Sequence, residues 1–322
     1  MLLAVTDARD DTANAVLAGL SHFGAPWARV NLAEFPERTE LAFDPCHPDR
    51  GRIRDAFAGL IDLDRVTAVW NWHPKPFTLL PGLDGVQAGF VASACRAAWS
   101  ALLAPLEARC RTVNPTDAEI RAGDKARQLR AAAARGFRVP ETLITNSPAR
   151  ALDFCSRFPQ TVFKLLNPGR LAYPDRDLWF GTRLLDRGDL AELETLRHCP
   201  GLFQRRIPKR FDLRVTVVGD QLFPVAIHSQ ADERSAVDYR PLLAAHPAAL
   251  AHRVHPLPPA VAAAALALAR DLGLHYCAMD LALTPEGEYV FFEVNPSGQY
   301  GWIEATTGLP ITRALTRLLM AA

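Results

Sequence analysis

"VFFEVNPSGQYGWIEATTGLP", Val290 to Pro310, ends a strand-like run on a carboxylate and an amide two residues apart, Glu293 and Asn295, and then breaks it with Pro-Ser-Gly. Side chains alternate along a strand, so Phe291, Glu293 and Asn295 are expected on one face and Val290, Phe292 and Val294 on the other. The preceding run, "YCAMDLAL", Tyr276 to Leu283, carries Asp280 on one face with Ala278 and Ala282. A hairpin turning symmetrically about Glu286 and Gly287 sets Asp280 across from Glu293, with Asn295 on the diagonal. Opposed Cβ atoms lie roughly 4.5–5.5 Å apart, where like charges are destabilising. A divalent cation would neutralise the pair, and Asp, Glu and Asn oxygens are ligands that Mg2+ takes. The pattern predicts a magnesium site from Asp280, Glu293 and Asn295. Two carboxylates on an open, solvated face is the competing reading.

Magnesium held by few carboxylates usually also holds phosphate, which calls for cations nearby. Lys164 sits in the apolar run "TVFKLL", and Lys125 follows Asp124 in the first turn of a predicted helix. Either one alone also reads as an ordinary surface or snorkelling lysine. "FDLRV" places Asp212, Arg214 and Thr216 on one strand face, an acid for ribose hydroxyls and a guanidinium for an anion. The same alternation suits the solvated face of a half-buried sheet. "QRRIPKR", Gln204 to Arg210, is the densest basic run. It reads as a solvated loop or as a recruiting surface for an acidic peptide or phosphate.

The remaining sequence narrows the class. The 322 residues are 49% hydrophobic and carry 36 Lys and Arg against 35 Asp and Glu. A sizeable core can form, and the charge balance argues against a nucleic-acid binder. The six cysteines are scattered without a C-x-x-C pair, as free thiols in a reducing compartment would be. The N-terminus turns acidic too early for a signal peptide, and the apolar run Val261–Ala269 is too short to span a bilayer. A soluble, cytoplasmic protein without membrane contact is expected. Strands are predicted at Met1–Thr6, "WARVNL" and "RVTAVWNW", with a helix over Asp11–Gly24. Thr116-x-x-Glu119 fits a capping box, and a second helix runs from Asp124 to Arg135 with Gly136 as its stop. "TLIT" and "TVFKLL" read as strands around a helical "SPARALDFCSRF". The Pro-, Gly- and Arg-rich stretch Asn167–Thr182 is long for a plain loop and suits a lid or binding loop. Two strands around Gly219-Asp220, a helix over Pro259–Gly273, the closing hairpin and a terminal helix complete the chain. No zinc-hydrolase helix, G-x-S-x-G elbow or P-loop is present.

From Asn114 onward the order of these pieces resembles an ATP-grasp ligase. A lysine follows Asn-Pro, another lies in "FKLL", then come Q-x-x-I-x-K-x-x-D-x-R-V and M-D…F-x-E-V-N-P-S-G-Q. "DLRVTVVGD", "HSQ", "VDYR" and "EVNPSGQYGWIEATTGLPI" are similar to the graspetide synthetases, microviridin-type ligases that macrocyclise ribosomal peptides. Two positions depart from RimK-like relatives: Arg205 stands where the hinge usually carries an acid, and "WNWHPKP" replaces an aromatic-Arg-Arg-Pro run.

The resemblance implies an α/β chain with an N-terminal pre-ATP-grasp domain (residues 1–112), a central ATP-grasp lobe (113–201) and a C-terminal lobe with the metal site (202–322). It implies ATP and Mg2+ as cofactors. Lys125 and Lys164 would contact the ATP phosphates, and the backbone of Gln204, Arg205, Arg206 and Ile207 would form the adenine hinge. Asp212 would bind ribose or substrate and Arg214 the acyl phosphate, with Lys164, Asp212 and Arg214 as the catalytic set. Asp280, Glu293 and Asn295 would hold magnesium. The implied partner is a precursor peptide with a leader and a core containing Thr and Asp or Glu, and a homodimer is compatible. A RimK-like ligase joining an amino acid or small molecules to a carboxylate is the alternative, and an inactive nucleotide- or peptide-binding module is the alternative from another class.

Overall fold

The computed structural model describes residues 1–166, 170–172, 177–246 and 248–321. The N-terminal segment begins with β1 (Leu2–Val5), α1 (Asp11–His22) and β2 (Trp27–Val30). Asp10 caps α1 by accepting from the Ala13 N–H, and Gly24 ends it at φ +70°. Next come β3 (Thr39–Asp44), β4 (His47–Asp55), β5 (Gly59–Asp62), β6 (Ala68–Asn71), α2 (Gly85–Arg109) and β7 (Arg111–Val113). Strands β2-β1-β6-β7 form a parallel sheet, and β3-β4-β5 a separate antiparallel one.

The sequence reading passed over both β3–β5 and α2. Burial alternates along β3 and the end of β4, but the positions β4 buries are Gly51, Ile53 and Asp55 among exposed arginines, so the run carries little apolar signal. Helix α2 is long and apolar enough by composition to cross a bilayer. Its second half buries Trp99, Leu102, Leu103 and Leu106 in a core with Leu3, Val5, Val30 and Ile53, while Val86 and Phe90 of its first half are exposed.

The middle segment holds α3 (Thr116–Ala122), α4 (Lys125–Ala134), β8 (Thr142–Thr145), α5 (Pro148–Arg157) and β9 (Thr161–Lys164). It continues with β10 (Arg170–Ala172), β11 (Asp177–Trp179), β12 (Arg183–Leu184), α6 (Arg187–Ala191) and β13 (Gly201–Arg205). An antiparallel sheet runs β12-β9-β13-β8, and β10 pairs with β11. Of the stretch read as a lid or binding loop, residues 167–169 and 173–176 lie outside the described residues. Asp124 caps α4 through the N–H groups of Ala126 and Arg127, and Gly136 follows its end at φ +85°. The capping box read at Thr116 does not form. Pro115 precedes α3, and the Thr116 hydroxyl donates instead to Glu107 Oε1 at 2.6 Å.

The last segment contributes β14 (Phe211–Val218), β15 (Gln221–Ile227), α7 (Arg240–Ala245), β16 (His252–Val254), α8 (Pro259–Asp271), β17 (Tyr276–Leu283) and β18 (Tyr289–Asn295). Two helices close it, α9 (Gly301–Thr307) and α10 (Ile311–Met320), because Gly308 at φ +70° breaks the single terminal helix expected. The antiparallel sheet runs β16-β15-β14-β17-β18. One face packs Leu213, Val215, Val217, Met279 and Leu281 against Ala265 and Leu268 of α8. At one end of the other face, Tyr276 and Val218 join Trp70 and Trp72 of the N-terminal segment and Leu315 of α10 in a common core. Strand β14 is therefore buried on both faces, not half-solvated as its alternation allowed.

Candidate active site

Asp280 does pair with Glu293, but the turn is not symmetric. The loop from Thr284 to Glu288 centres on Glu286, with Leu283 opposite Tyr289, and a bulge after Asp280 restores the register. A bulge places two residues of one strand against one of its partner. Phe291 consequently packs into the core with Val294, while Phe292 turns with Glu293 to the pocket side. This reverses the two phenylalanines relative to simple alternation.

Phe292 and Glu293 line a pocket with Val162 and Lys164 of β9, the hinge Gln204–Ile207, Lys209 and Asp212. Asp280 and the segment Ala236–Arg240 close its far side, with Thr182 at the rim. Lys164 and Lys209 flank the Phe292 ring, their Nζ atoms 5.2 and 5.9 Å from its centroid. Burial, partly offset by Glu293, pulls the Lys164 pKa down to about 8. In the hinge, the N–H groups of Arg205 and Arg206 are taken by the carbonyls of Glu141 and Gln160. The Ile207 N–H has no partner among the described residues. Gln204 donates to the Thr142 hydroxyl at 3.0 Å, and the Arg205 side chain reaches Glu141 at 3.4 Å.

Arg214 Nη1 donates to Asp280 Oδ1 at 3.0 Å, with both side chains about nine-tenths buried. Burial opposes the guanidinium charge, but Asp280, Tyr239 and Tyr276 together outweigh it and hold the Arg214 pKa above the ordinary arginine value. Tyr239 also donates its hydroxyl to Asp280 Oδ1, at 3.2 Å. Beside them, Asp212 Oδ2 and Arg214 Nε are buried without a hydrogen-bond partner among the described residues. Such orphaned atoms suit a site that a polar ligand completes.

The opposed carboxylates call for a neutralising charge, for which the sequence suggests a divalent cation. The structure offsets them with its own cations. Arg214 pairs with Asp280, while Lys125 and Arg240 pair with Glu293 at 2.9 and 2.6 Å. Burial raises the Glu293 pKa, but Arg240, Lys125 and Lys164 together hold it well below the carboxylate range. Asn295 lies at the exposed end of β18, where its Oδ1 accepts from the Ser297 N–H at 3.1 Å. The donor set of two carboxylates and an amide on neighbouring strands is hard oxygen throughout, which fits magnesium. No three His, Cys, Asp or Glu side chains form a metal cluster among the described residues.

Lys209 corrects the view of "QRRIPKR" as a uniformly solvated run. Its Nζ donates to Asp212 Oδ1 at 2.8 Å and to the Val237 carbonyl at 3.2 Å, and the side chain is 6% exposed. Arg206, half-buried, reaches Gln160 at 3.4 Å, its one hydrogen-bond partner among the described residues. The reading also missed Asp238 and Arg240. "VDYR" was visible as a motif, but only the fold brings it across the pocket from Glu293. Asp238 accepts from the Thr182 N–H at 3.1 Å and from Arg240 Nε and Nη2 at 2.8 Å each. A separate groove of about 1080 Å³ lies between the N-terminal segment and α3, lined by Trp99, Leu103 and Ile120 with Lys75, Arg96, Glu107 and Asp117.

No protein-family model matches the chain. It is 32% identical over 212 residues to a probable alpha-L-glutamate ligase of Stenotrophomonas maltophilia, covering 62% of this chain and 66% of that protein, just under two thirds of its length. A probable alpha-L-glutamate ligase of Xanthomonas oryzae is 31% identical over 261 residues, 77% of this chain and 81% of that protein. Among solved structures, the macrocyclase MdnC of Microcystis aeruginosa, bound with its precursor peptide, matches at TM-score 0.87 and 27% identity, over 100% of this chain and 99% of that one. A RiPP-associated ATP-grasp ligase of Chryseobacterium gregarium, in complex with ADP and a leader and core peptide, matches at TM-score 0.86 and 25% identity, over 99% and 96% of the two chains. With a mixed α/β fold shared from end to end and a cation-lined pocket between its sheets, the chain belongs to the ATP-grasp ligases, enzymes that form bonds with ATP.

Proposed function

We propose that the protein closes ester or amide macrocycles in a ribosomally made precursor peptide, using ATP and Mg2+. The observation that carries this reading is the full-length likeness to the peptide-bound macrocyclase, together with a pocket whose charges suit phosphoryl transfer. A carboxylate oxygen of a peptide Asp or Glu attacks the γ-phosphorus of ATP, ADP leaves, and an acyl phosphate results. A Thr or Ser hydroxyl, or a Lys amine, of the same peptide then attacks the acyl carbon. Phosphate leaves with the bonding electrons, and the nucleophile's proton is lost.

Such chemistry is catalysed mainly by positioning and charge. On this reading the Ile207 N–H donates to a ring nitrogen on the adenine edge, in the hinge formed by Gln204, Arg205, Arg206 and Ile207. The unpartnered Asp212 Oδ2 accepts from ribose or substrate. Lys164, still largely protonated at pH 7 with a pKa of about 8, meets the phosphates together with Lys125. Asp280 orients the Arg214 fork toward the acyl phosphate. Magnesium, held by Asp280, Glu293 and Asn295, would draw negative charge from the phosphates when bound. Co-expression with a small peptide carrying Thr and Asp or Glu, followed by intact mass, tests the reading. Loss of one water mass per ring is expected, and an unchanged peptide alongside ATP turnover on other acceptors counts against it.

The sequence relatives favour a second reading, addition of glutamate to an acceptor carboxylate. ATP turnover that requires free glutamate and ignores the peptide would support it.

A further inference from the structure

Both Glu293 oxygens already accept a hydrogen bond from a cation. Its Oε2 accepts from Lys125 Nζ at 2.9 Å and its Oε1 from Arg240 Nη1 at 2.6 Å. An ion ligated by Glu293 would sit against one of the two cations, and their mutual repulsion favours displacing it. We propose that Arg240 is an exchangeable counter-cation, which closes Glu293 in the nucleotide-free protein and yields Oε1 to magnesium as the nucleotide phosphates arrive. The inference rests on the ligase reading above.

Arg240 is the cation built to move. Its side chain is 47% exposed, against 22% for Lys125. Its Nε and Nη2 grip both oxygens of Asp238, and its backbone N–H donates to Oδ1 at 3.1 Å. Asp238 is itself buried and fixed by the Thr182 N–H. Nη1 can therefore leave Glu293 while the other two guanidinium nitrogens keep their carboxylate, so no buried charge is stranded. Lys125 has no second hydrogen-bond partner among the described residues. With Lys125, Lys164 and Arg240 all acting on Glu293, a dication arriving alone meets repulsion and an occupied ligand. When it arrives with a nucleotide, phosphate oxygens give Nη1 a new acceptor. Metal and nucleotide are thus expected to enter together.

The test uses Mn2+ as the probe, its free ion counted by electron paramagnetic resonance, on the full chain without nucleotide. Arg240→Met should bind Mn2+ alone about tenfold or more tightly than the parent, because a charge that opposed the dication is gone. Its affinity for ADP without metal should fall several-fold, since the phosphates lose a donor. Equal or weaker Mn2+ binding by a variant whose circular dichroism is unchanged overturns the proposal. If Arg240→Met does not fold, Arg240→Gln is judged by the same comparison. Calorimetry of ADP with Mg2+ separates the levels. A parent protein that binds no Mg2+-ADP overturns the ligase reading and this inference with it. A parent that binds it, beside a variant with no gain in Mn2+ affinity, overturns only the exchange.

Discussion

Lys209→Met should unfold more easily than the parent, and by more at neutral pH than in acid. Lys209 and Asp212 are 6% and 7% exposed at the side chain, and Asp212 Oδ2 already lacks a partner. Removing the ammonium leaves a buried carboxylate stripped of its main counter-charge. Breaking a buried pair from one side costs about 3–5 kcal/mol, and the Val237 carbonyl, losing its donor, adds about 1 kcal/mol. Methionine keeps the apolar stem beside Phe292, so the loss is not a cavity effect. Burial already raises the Asp212 pKa above 3.8, with Lys209 pulling against it. For a carboxyl raised in the folded state, the stability contribution is full below the unfolded pKa and is lost as pH rises through the folded one. The substitution removes the downward pull, so its loss reaches higher pH, and protonation of Asp212 relieves it in acid. Urea unfolding at pH 5 and pH 8 measures both values. Lys209→Met with Asp212→Asn should recover part of the pH 8 loss, because no buried charge remains. A single variant within about 1 kcal/mol of the parent at both pH values would refute the argument, since it would mean the pair is solvated.

Three further outcomes follow from neighbouring geometry. A Cβ added at Gly298 would fall on Arg214 Nη2 and lie 2.7 Å from Ala278 Cβ, so Gly298→Ala should lower kcat by about 10²–10³ with little change in KM for ATP, read by steady-state kinetics. Arg214→Lys should fail similarly, because an ammonium cannot replace the fork held by Asp280; a rate within a few-fold of the parent would refute the role. Burial, reinforced by Glu107, raises the Glu119 pKa from 4.5 to about 7, so stability should decline as pH rises through that window, and Glu119→Gln should flatten the decline in thermal unfolding.

What was legible in the sequence was local. The stops at Gly24 and Gly136 and the turn at Gly219 rest on positive-φ backbone that few residues adopt, the cap at Asp124 rests on a side-chain oxygen that accepts from the first-turn N–H groups, and each stands where its residue type placed it. Asp280 does pair with Glu293 as the hairpin reading expected, but through a shifted turn whose register only the bulge restores. The bulge was not legible, since an extra residue changes which side chains face the core without leaving a compositional mark. The largest gap lay in what neutralises Glu293. Its partners stand at Lys125, 168 residues away, and at Arg240, 53 residues away, and only Lys125 looked chemical beforehand. Arg240 looked ordinary because its importance comes from Asp238 and Thr182, which fix it across the pocket.

The same limit explains the N-terminal segment, whose motifs point to no chemistry. Asp10, the cap of α1, accepts from Gln299 Nε2 at 2.9 Å, and Thr12 donates to Gln299 Oε1 at 2.8 Å. Arg214 Nη2 in turn lies 3.5 Å from the Gln299 carbonyl. A helix cap near the start of the chain thus bears on the turn beside the central arginine. Shared burial of Trp72, Tyr276 and Tyr300 makes that link stiff, because a close-packed core transmits displacement more readily than a solvated linker.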